Sequence, residues 1–234
     1  MSRLKEFGKR LLDRAGYELR TKQRPASHMR PIGQLDSVLT DFKARGFSPA
    51  LIFDIGASDG AWTDVVRPIF PAARFVTVEP RTTGVEPTVK AAVGAREGSA
   101  TLTDWETGST LMPYDGAGET QYAVPVTTLD RLARDFGVPD LVKLNVQGFE
   151  LEAIAGASTL FGRTDVFIVQ VALYRFRGRP LLHELAAAMA ERGYFLYDIA
   201  AFIRRPSDGA VALLDVCFGR TIRGSETDWH TRSA

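Results

Sequence analysis

Two segments of the chain combine residue types and spacing suited to an adenosine-type ligand. In Phe53-Asp54-Ile55-Gly56-Ala57-Ser58-Asp59-Gly60 an apolar stretch runs into two glycines and then a helical pattern. Glycines let a ligand approach the backbone, and a helix N-terminus offers unpaired N–H groups. In Val76-Thr77-Val78-Glu79-Pro80 an acid closes the next apolar stretch, nineteen residues after Gly60. A carboxylate placed there can accept both hydroxyl hydrogens of a ribose. The glycines alone would fit a plain tight turn equally well; with the acid at this distance they point to a cofactor. NAD is disfavoured because the run lacks the order G-x-G-x-x-G, and no G-x-x-x-x-G-K-[ST] supports a nucleoside triphosphate.

Other polar groups have a plain reading beside a chemical one. Glu150 opens a helix, where a carboxylate is favoured by the helix dipole, and that role stands level with a catalytic one. His183, in Leu181-Leu182-His183-Glu184-Leu185, reads first as a half-exposed helix residue and second as a general base. Cys217, the one cysteine, is most simply a small core residue. Trp62, Trp105 and Tyr114 are candidates for a sugar-binding face, with core packing the better reading for Trp62.

The elements that must position these groups alternate along the chain. Leu35, Val38, Leu39 and Phe42 mark a helix that Gly46 can end, and 51–55 follows as an apolar strand. A helix is expected over 59–69 and a strand over 74–79. Leu129, Leu132, Ala133 and Phe136 predict a helix capped by Thr127 or Thr128 and closed by Gly137. A strand over 141–146, a helix from Leu151 to Leu160 and a fully buried strand over 166–173 come next. Pro180 reads as a helix start and Gly193 as its end, and strands over 194–199 and 211–218 flank a polar turn at 206–209. Such alternation indicates an α/β domain with a mostly parallel sheet, whose ligands bind beyond the carboxyl ends of the strands.

DIGASDGAW and VTVEP resemble the first two motifs of class I S-adenosylmethionine-dependent methyltransferases. Val124-Pro125-Val126-Thr127-Thr128-Leu129-Asp130, followed by Leu141-Val142-Lys143-Leu144-Asn145-Val146-Gln147-Gly148-Phe149-Glu150, is similar to the FkbM family in particular. Ala92-Val93-Gly94, Gly98 and Gly108-Ser109 also match family segments, so the resemblance spans 33–220. It implies a Rossmann-like α/β fold: a mostly parallel sheet with an antiparallel last strand and helices on both faces. It implies a cytoplasmic enzyme that moves a methyl group from S-adenosylmethionine to a hydroxyl of a sugar, glycolipid or polyketide-type acceptor. Asp54, Gly56, Ala57, Ser58, Gly60, Glu79, Pro80, Ala92, Val93, Asn145 and Val146 would then hold the cofactor, and Asn145, Gln170, Glu150 and His183 are the catalytic candidates. Asn145 stands where the family usually has aspartate and Gln170 where it usually has glutamate. Neutral amides there would orient an acceptor but weaken any divalent-cation site. The alternative reading is a catalytically degenerate member serving as a cofactor-binding or scaffold module. Only eleven residues separate Pro80 from Ala92, which predicts a more open adenine pocket.

Composition bounds the rest. The 234 residues are 45% hydrophobic and 24% charged, ordinary for a globular domain. Twenty-nine Lys/Arg against twenty-eight Asp/Glu give a net charge of +1, so a nucleic-acid partner is not expected. Residues 1–31 hold nine Lys/Arg and three Asp/Glu, +6, which leaves −5 for the remainder. Leu4, Phe7, Leu11 and Ala15 recur there at helical spacing among basic residues. This arm is expected to pack on its own domain or a partner, with weak membrane contact through 1–24 as the lesser reading. The expected division is an arm and linker over 1–32, the methyltransferase domain over 33–222 and a polar tail over 223–234. No run of about 18 apolar residues and no secretory signal is present, which points to the cytoplasm.

Overall fold

The computed structural model describes residues 30–81, 86–104, 109–112, 120–176 and 178–220. The basic arm, most of the linker, Trp105, Gly108, Tyr114 and the polar tail lie outside the described residues. In chain order the elements are α1 (Leu35–Ala44), β1 (Leu51–Ile55), α2 (Ala61–Val66), β2 (Arg74–Val78), β3 (Ala92–Val93), β4 (Gly98–Asp104) and β5 (Thr120–Thr127). They continue with α3 (Leu129–Phe136), β6 (Leu141–Leu144), α4 (Glu150–Ala155), β7 (Val166–Ala172), α5 (Leu182–Ala190), β8 (Phe195–Arg204) and β9 (Val211–Gly219).

Six strands form one sheet in the order β2-β1-β6-β7-β9-β8. The first four run parallel, and β9 lies antiparallel between β7 and β8. The apolar runs of β1, β6 and β7 are buried because both faces of the sheet are covered. On one face Phe53, Val142, Phe167 and Phe218 pack with Leu129 and Leu132 of α3, Ile154 of α4, and Leu185 and Met189 of α5. On the other, Ile52, Leu141, Ile168 and Cys217 pack with Val38, Leu39 and Phe42 of α1 and Val66 of α2. Burying each large apolar side chain stabilises the fold by about 1.5–3 kcal/mol, and residues of β1, β6, β7 and β9 anchor both helix layers in this way. The expected fold class is the one observed.

Several boundaries differ from expectation for local reasons. β6 stops at Leu144 rather than 146 because, after the last ladder bond from Asn145 N–H to Ile55 O (3.0 Å), Val146 N–H turns to the Glu150 carboxylate (3.2 Å). α4 ends at Ala155, not Leu160. The Asp130 carboxylate takes the backbone N–H and hydroxyl of both Ser158 (3.0 and 2.6 Å) and Thr159 (2.8 and 2.6 Å), which holds that stretch as a turn. α2 is shorter than 59–69, and α5 begins at Leu182, with Glu184 accepting the Leu181 N–H at 2.7 Å. Of the two threonines considered as the α3 cap, Thr128 fills the role, accepting the Arg131 N–H at 3.0 Å.

The largest departure is a second sheet, three strands in the order β3-β5-β4. β4 and β5 pair antiparallel from Gly98 opposite Val126 to Asp104 opposite Thr120, over a small core of Ala92, Leu102 and Val124.

Candidate active site

A cavity of about 320 Å³ opens beyond the carboxyl ends of β1, β2 and β6. Its size is at the low end of small-molecule sites, which run from about 300 to 1,000 Å³. Gly56, Ala57, Ser58, Glu79, Pro80, Ala92, Val93, Asn145 and Val146 line it, nine of the eleven positions expected to hold the cofactor. Asp54 and Gly60 lie outside the lining. Among the described residues, the only non-glycine residues in the left-handed backbone region are Ser58 (φ 51°) and Gln147 (φ 56°), and both line the cavity. Such conformations concentrate where the surrounding structure enforces them at functional sites.

Asp54 acts beneath the glycine loop rather than in the cavity. It is fully buried, accepts the Thr63 hydroxyl at 2.7 Å and pairs with Lys143 at 3.0 Å. Lys143 also donates to Gly56 O at 2.6 Å, so a buried cation ties β6 to β1 and to the glycine loop that follows β1. Gly60 begins α2 with φ 83°, and its N–H goes to Ala57 O. The loop amides are engaged internally: Gly56 and Ala57 N–H reach Val78 O (2.8 and 3.1 Å), and Ser58 N–H reaches Glu79 Oε2 (2.9 Å).

Glu79 is buried, and its other oxygen takes both the Arg81 N–H (3.1 Å) and Arg81 Nε (3.0 Å). Arg81 also donates to Ser58 Oγ at 2.9 Å, which holds the ends of β1 and β2 together. The adjoining wall is apolar, made by Val78, Ala92, Val93 and Leu102. Trp62 lines the cavity and packs against the α1 side of the core, and its buried indole N–H has no partner among the described residues.

The loop after β6 forms the opposite wall. Asn145 Oδ1 accepts Gln147 Nε2 at 2.7 Å, Gln147 Oε1 accepts the Arg179 guanidinium, and Gln147 O accepts the Thr110 hydroxyl at 2.6 Å. Glu150 lies outside the cavity lining, below this loop, and braces it by accepting the N–H groups of Val146 (3.2 Å) and Gly148 (3.0 Å). Burial raises its pKa, against the hydrogen bonds and the Arg179 charge. The two loops meet at Gly56, where a Cβ would fall 1.9 Å from Asn145 O.

The remaining catalytic candidates are separated from this wall. His183 is exposed on α5 and outside the lining. Gln170 is also outside the lining, but its Nε2 donates to Asp215 Oδ1 at 3.2 Å, and Asp215 does line the cavity. Asp215, Lys143 and Arg81 were not among the expected site residues. Their signal is a single charge inside a buried apolar strand for the first two, VALLDVCF and LVKL, because burying an unpaired charge is costly. Among the described residues no group of three or more His, Cys, Asp or Glu is placed to hold a metal ion, and no helix is long and apolar enough to cross a membrane.

The donor set suits an adenosine-type cofactor without phosphates. A buried carboxylate stands at the end of β2 beside an apolar wall, while the glycine-loop amides that a phosphate would need are spent on Val78 and Glu79.

Among solved structures the chain is similar to an FkbM methyltransferase from Methylobacillus flagellatus KT (16% identity, TM-score 0.46, covering 83% of this chain and 50% of that one). It is also similar to a precorrin-6y C5,15-methyltransferase from Geobacter metallireducens GS-15 (13%, TM-score 0.43, 79% and 86%). A third is magnesium protoporphyrin IX methyltransferase from Synechocystis PCC 6803 with bound SAM (13%, TM-score 0.43, 94% and 99%). The chain thus spans half the length of the Methylobacillus protein. No curated protein matches it. The family model described as the methyltransferase FkbM domain matches residues 54–196, more than half of the chain and both loops of the cavity, and the chain belongs to the FkbM methyltransferase family.

Proposed function

We propose that the protein is an S-adenosylmethionine-dependent O-methyltransferase acting on a hydroxyl of a sugar, glycolipid or polyketide-type acceptor. The observation that carries this reading is the single cavity joining Glu79 and the 56–58 loop to the 145–147 loop. Glu79 would receive the ribose hydroxyls, Ala92 and Val93 would flank the adenine, and Gly56, Ala57, Ser58, Pro80 and Val146 would border the rest of the cofactor. When bound, S-adenosylmethionine supplies an electrophilic methyl group on a sulfonium. The chain's own work is to hold the acceptor in line and to exclude water, which is worth several kcal/mol of the barrier. Because Asn145 Oδ1 is taken by Gln147, its amide N–H groups are left to donate toward an acceptor oxygen. The neutral side chains of Asn145 and Gln170 favour a second reading, a cofactor-binding module without turnover.

Calorimetric titration with S-adenosylhomocysteine, followed by radiolabelled methyl transfer to a panel of methyl glycosides, glycolipids and macrolides, tests both readings. Saturable binding with label in a hydroxyl methyl ether is expected. Binding without transfer supports the module, and absence of binding overturns both.

A further inference from the structure

We infer, resting on the O-methyl-transfer reading, that Asp215 is the base that takes the acceptor's hydroxyl proton and so marks the acceptor end of the cavity. Three carboxylates line this cavity among the described residues: Asp59, Glu79 and Asp215. Glu79 is already engaged by the Arg81 guanidinium and by Ser58 N–H. Asp59 is exposed on the loop and accepts the Ala61 N–H at 3.2 Å. Asp215 differs from both. It projects from β9, in register with Gln170 of β7, and its hydrogen-bond partner is that neutral amide.

The charged groups that face it explain how it is poised. Lys143 of β6 lines the same cavity but is committed at 3.0 Å to Asp54 and at 2.6 Å to Gly56 O, so it lends Asp215 a field without neutralising it. Asp59 borders the cavity from the start of α2, and Ala201 stands opposite Asp215 on β8. Burial raises the Asp215 pKa, opposed by the Gln170 hydrogen bond and the Lys143 charge. A carboxylate raised in this way is a stronger proton acceptor than one in water. The other candidate bases are placed otherwise: Glu150 is spent on backbone N–H groups under its loop, and His183 is exposed away from the cavity.

In the step, the acceptor hydroxyl oxygen attacks the sulfonium methyl carbon. The C–O bond forms while the C–S bond breaks, with its electron pair passing to sulfur. The hydroxyl proton goes to the Asp215 carboxylate. The products are a methyl ether, S-adenosylhomocysteine and a protonated Asp215 that returns its proton to water.

The test compares the parent chain with Asp215→Asn and Gln170→Leu, using S-adenosylhomocysteine calorimetry, the panel of methyl glycosides, glycolipids and macrolides, and carboxyl ¹³C NMR of Asp-labelled protein. Asp215→Asn is expected to keep S-adenosylhomocysteine affinity within about two-fold while kcat falls roughly 10²- to 10⁴-fold. The carboxyl resonance missing from that variant should titrate above the ordinary aspartate range in the parent. Gln170→Leu, which removes the hydrogen bond that favours the charged form, should move that titration and the acidic limb of kcat/KM to higher pH together. Parent-like turnover in Asp215→Asn, or a resonance that titrates as an ordinary aspartate, overturns the base while leaving O-methyl transfer in place. A parent that binds S-adenosylhomocysteine yet methylates nothing on the panel overturns the acceptor class and the base with it.

Discussion

The two ends of the cavity hold their carboxylates in opposite ways. At the β2 end Glu79 is paired with the Arg81 guanidinium and accepts the Ser58 N–H. At the β9 end Asp215 faces a primary amide, and burial pushes its pKa up. One environment suits a fixed charge that accepts hydrogen bonds from a ligand; the other suits a group that takes up and gives back a proton. The residue type does not decide which role a carboxylate plays, because the same chemistry is set by what stands opposite it.

The largest expected effect comes from the residue between the two ends. Lys143→Met leaves Asp54 as a buried charge without its cation, and breaking a buried pair of this kind costs about 3–5 kcal/mol. Urea unfolding should show that loss, and Asp54→Asn in the same chain should recover much of it. An unchanged unfolding midpoint would mean that the lysine does not tie the loop to the sheet.

Glu79→Ala should weaken S-adenosylhomocysteine binding by about 1.5–3 kcal/mol, roughly ten-fold to a hundred-fold, by removing a charge-assisted acceptor. The same calorimetry on Asp215→Asn should show almost no change. Equal losses in both variants would dissolve the distinction between the ends.

Stability against pH separates them more finely. A carboxylate whose folded pKa is raised contributes stability that is full below its unfolded value and is lost as pH rises through the folded value. Asp215 therefore destabilises the fold at neutral pH, and Asp215→Asn should be more stable than the parent at pH 7, with the gain fading toward acid. The slope is at most about 1.4 kcal/mol per pH unit for one proton. A gain that persists unchanged at pH 3 would show that the effect is packing rather than charge.

The smallest effect serves as the control. Thr128→Ala removes the α3 cap and should cost about 1 kcal/mol in thermal unfolding, with cofactor affinity and the pH profile unchanged. A shift in either would extend the site beyond the cavity.

What periodicity could reach was the large sheet, whose inner strands β1, β6, β7 and β9 each bury several apolar residues. The small sheet was not legible. GSATLTD offers one large inward residue, Leu102, and Pro125 stands in the central strand without an N–H to donate, which reads as evidence against a strand. Within the site, Gly56 and Glu79 could be found because a local spacing links them. The lone charge in VALLDVCF could mark Asp215, but its partnership with Gln170 could not be read, since it runs through an antiparallel pairing of β7 and β9 that spans 45 positions of sequence. Glu150 was read by its helix position, whereas its partners lie in the preceding loop.

At Gly56 the two loops of the cavity touch through main chain. A peptide carbonyl of one loop presses on the bare α-carbon of the other, so the gap between the two walls is measured by main chain alone. Main chain is the part of a protein that substitution alters least. Side chains along the cavity are then free to vary, and with them the molecule admitted, while the spacing of the two loops at this contact stays the same. Under the proposed methyl transfer, the glycine would work as a fixed gauge that keeps the two loops at one spacing whichever acceptor the side chains admit.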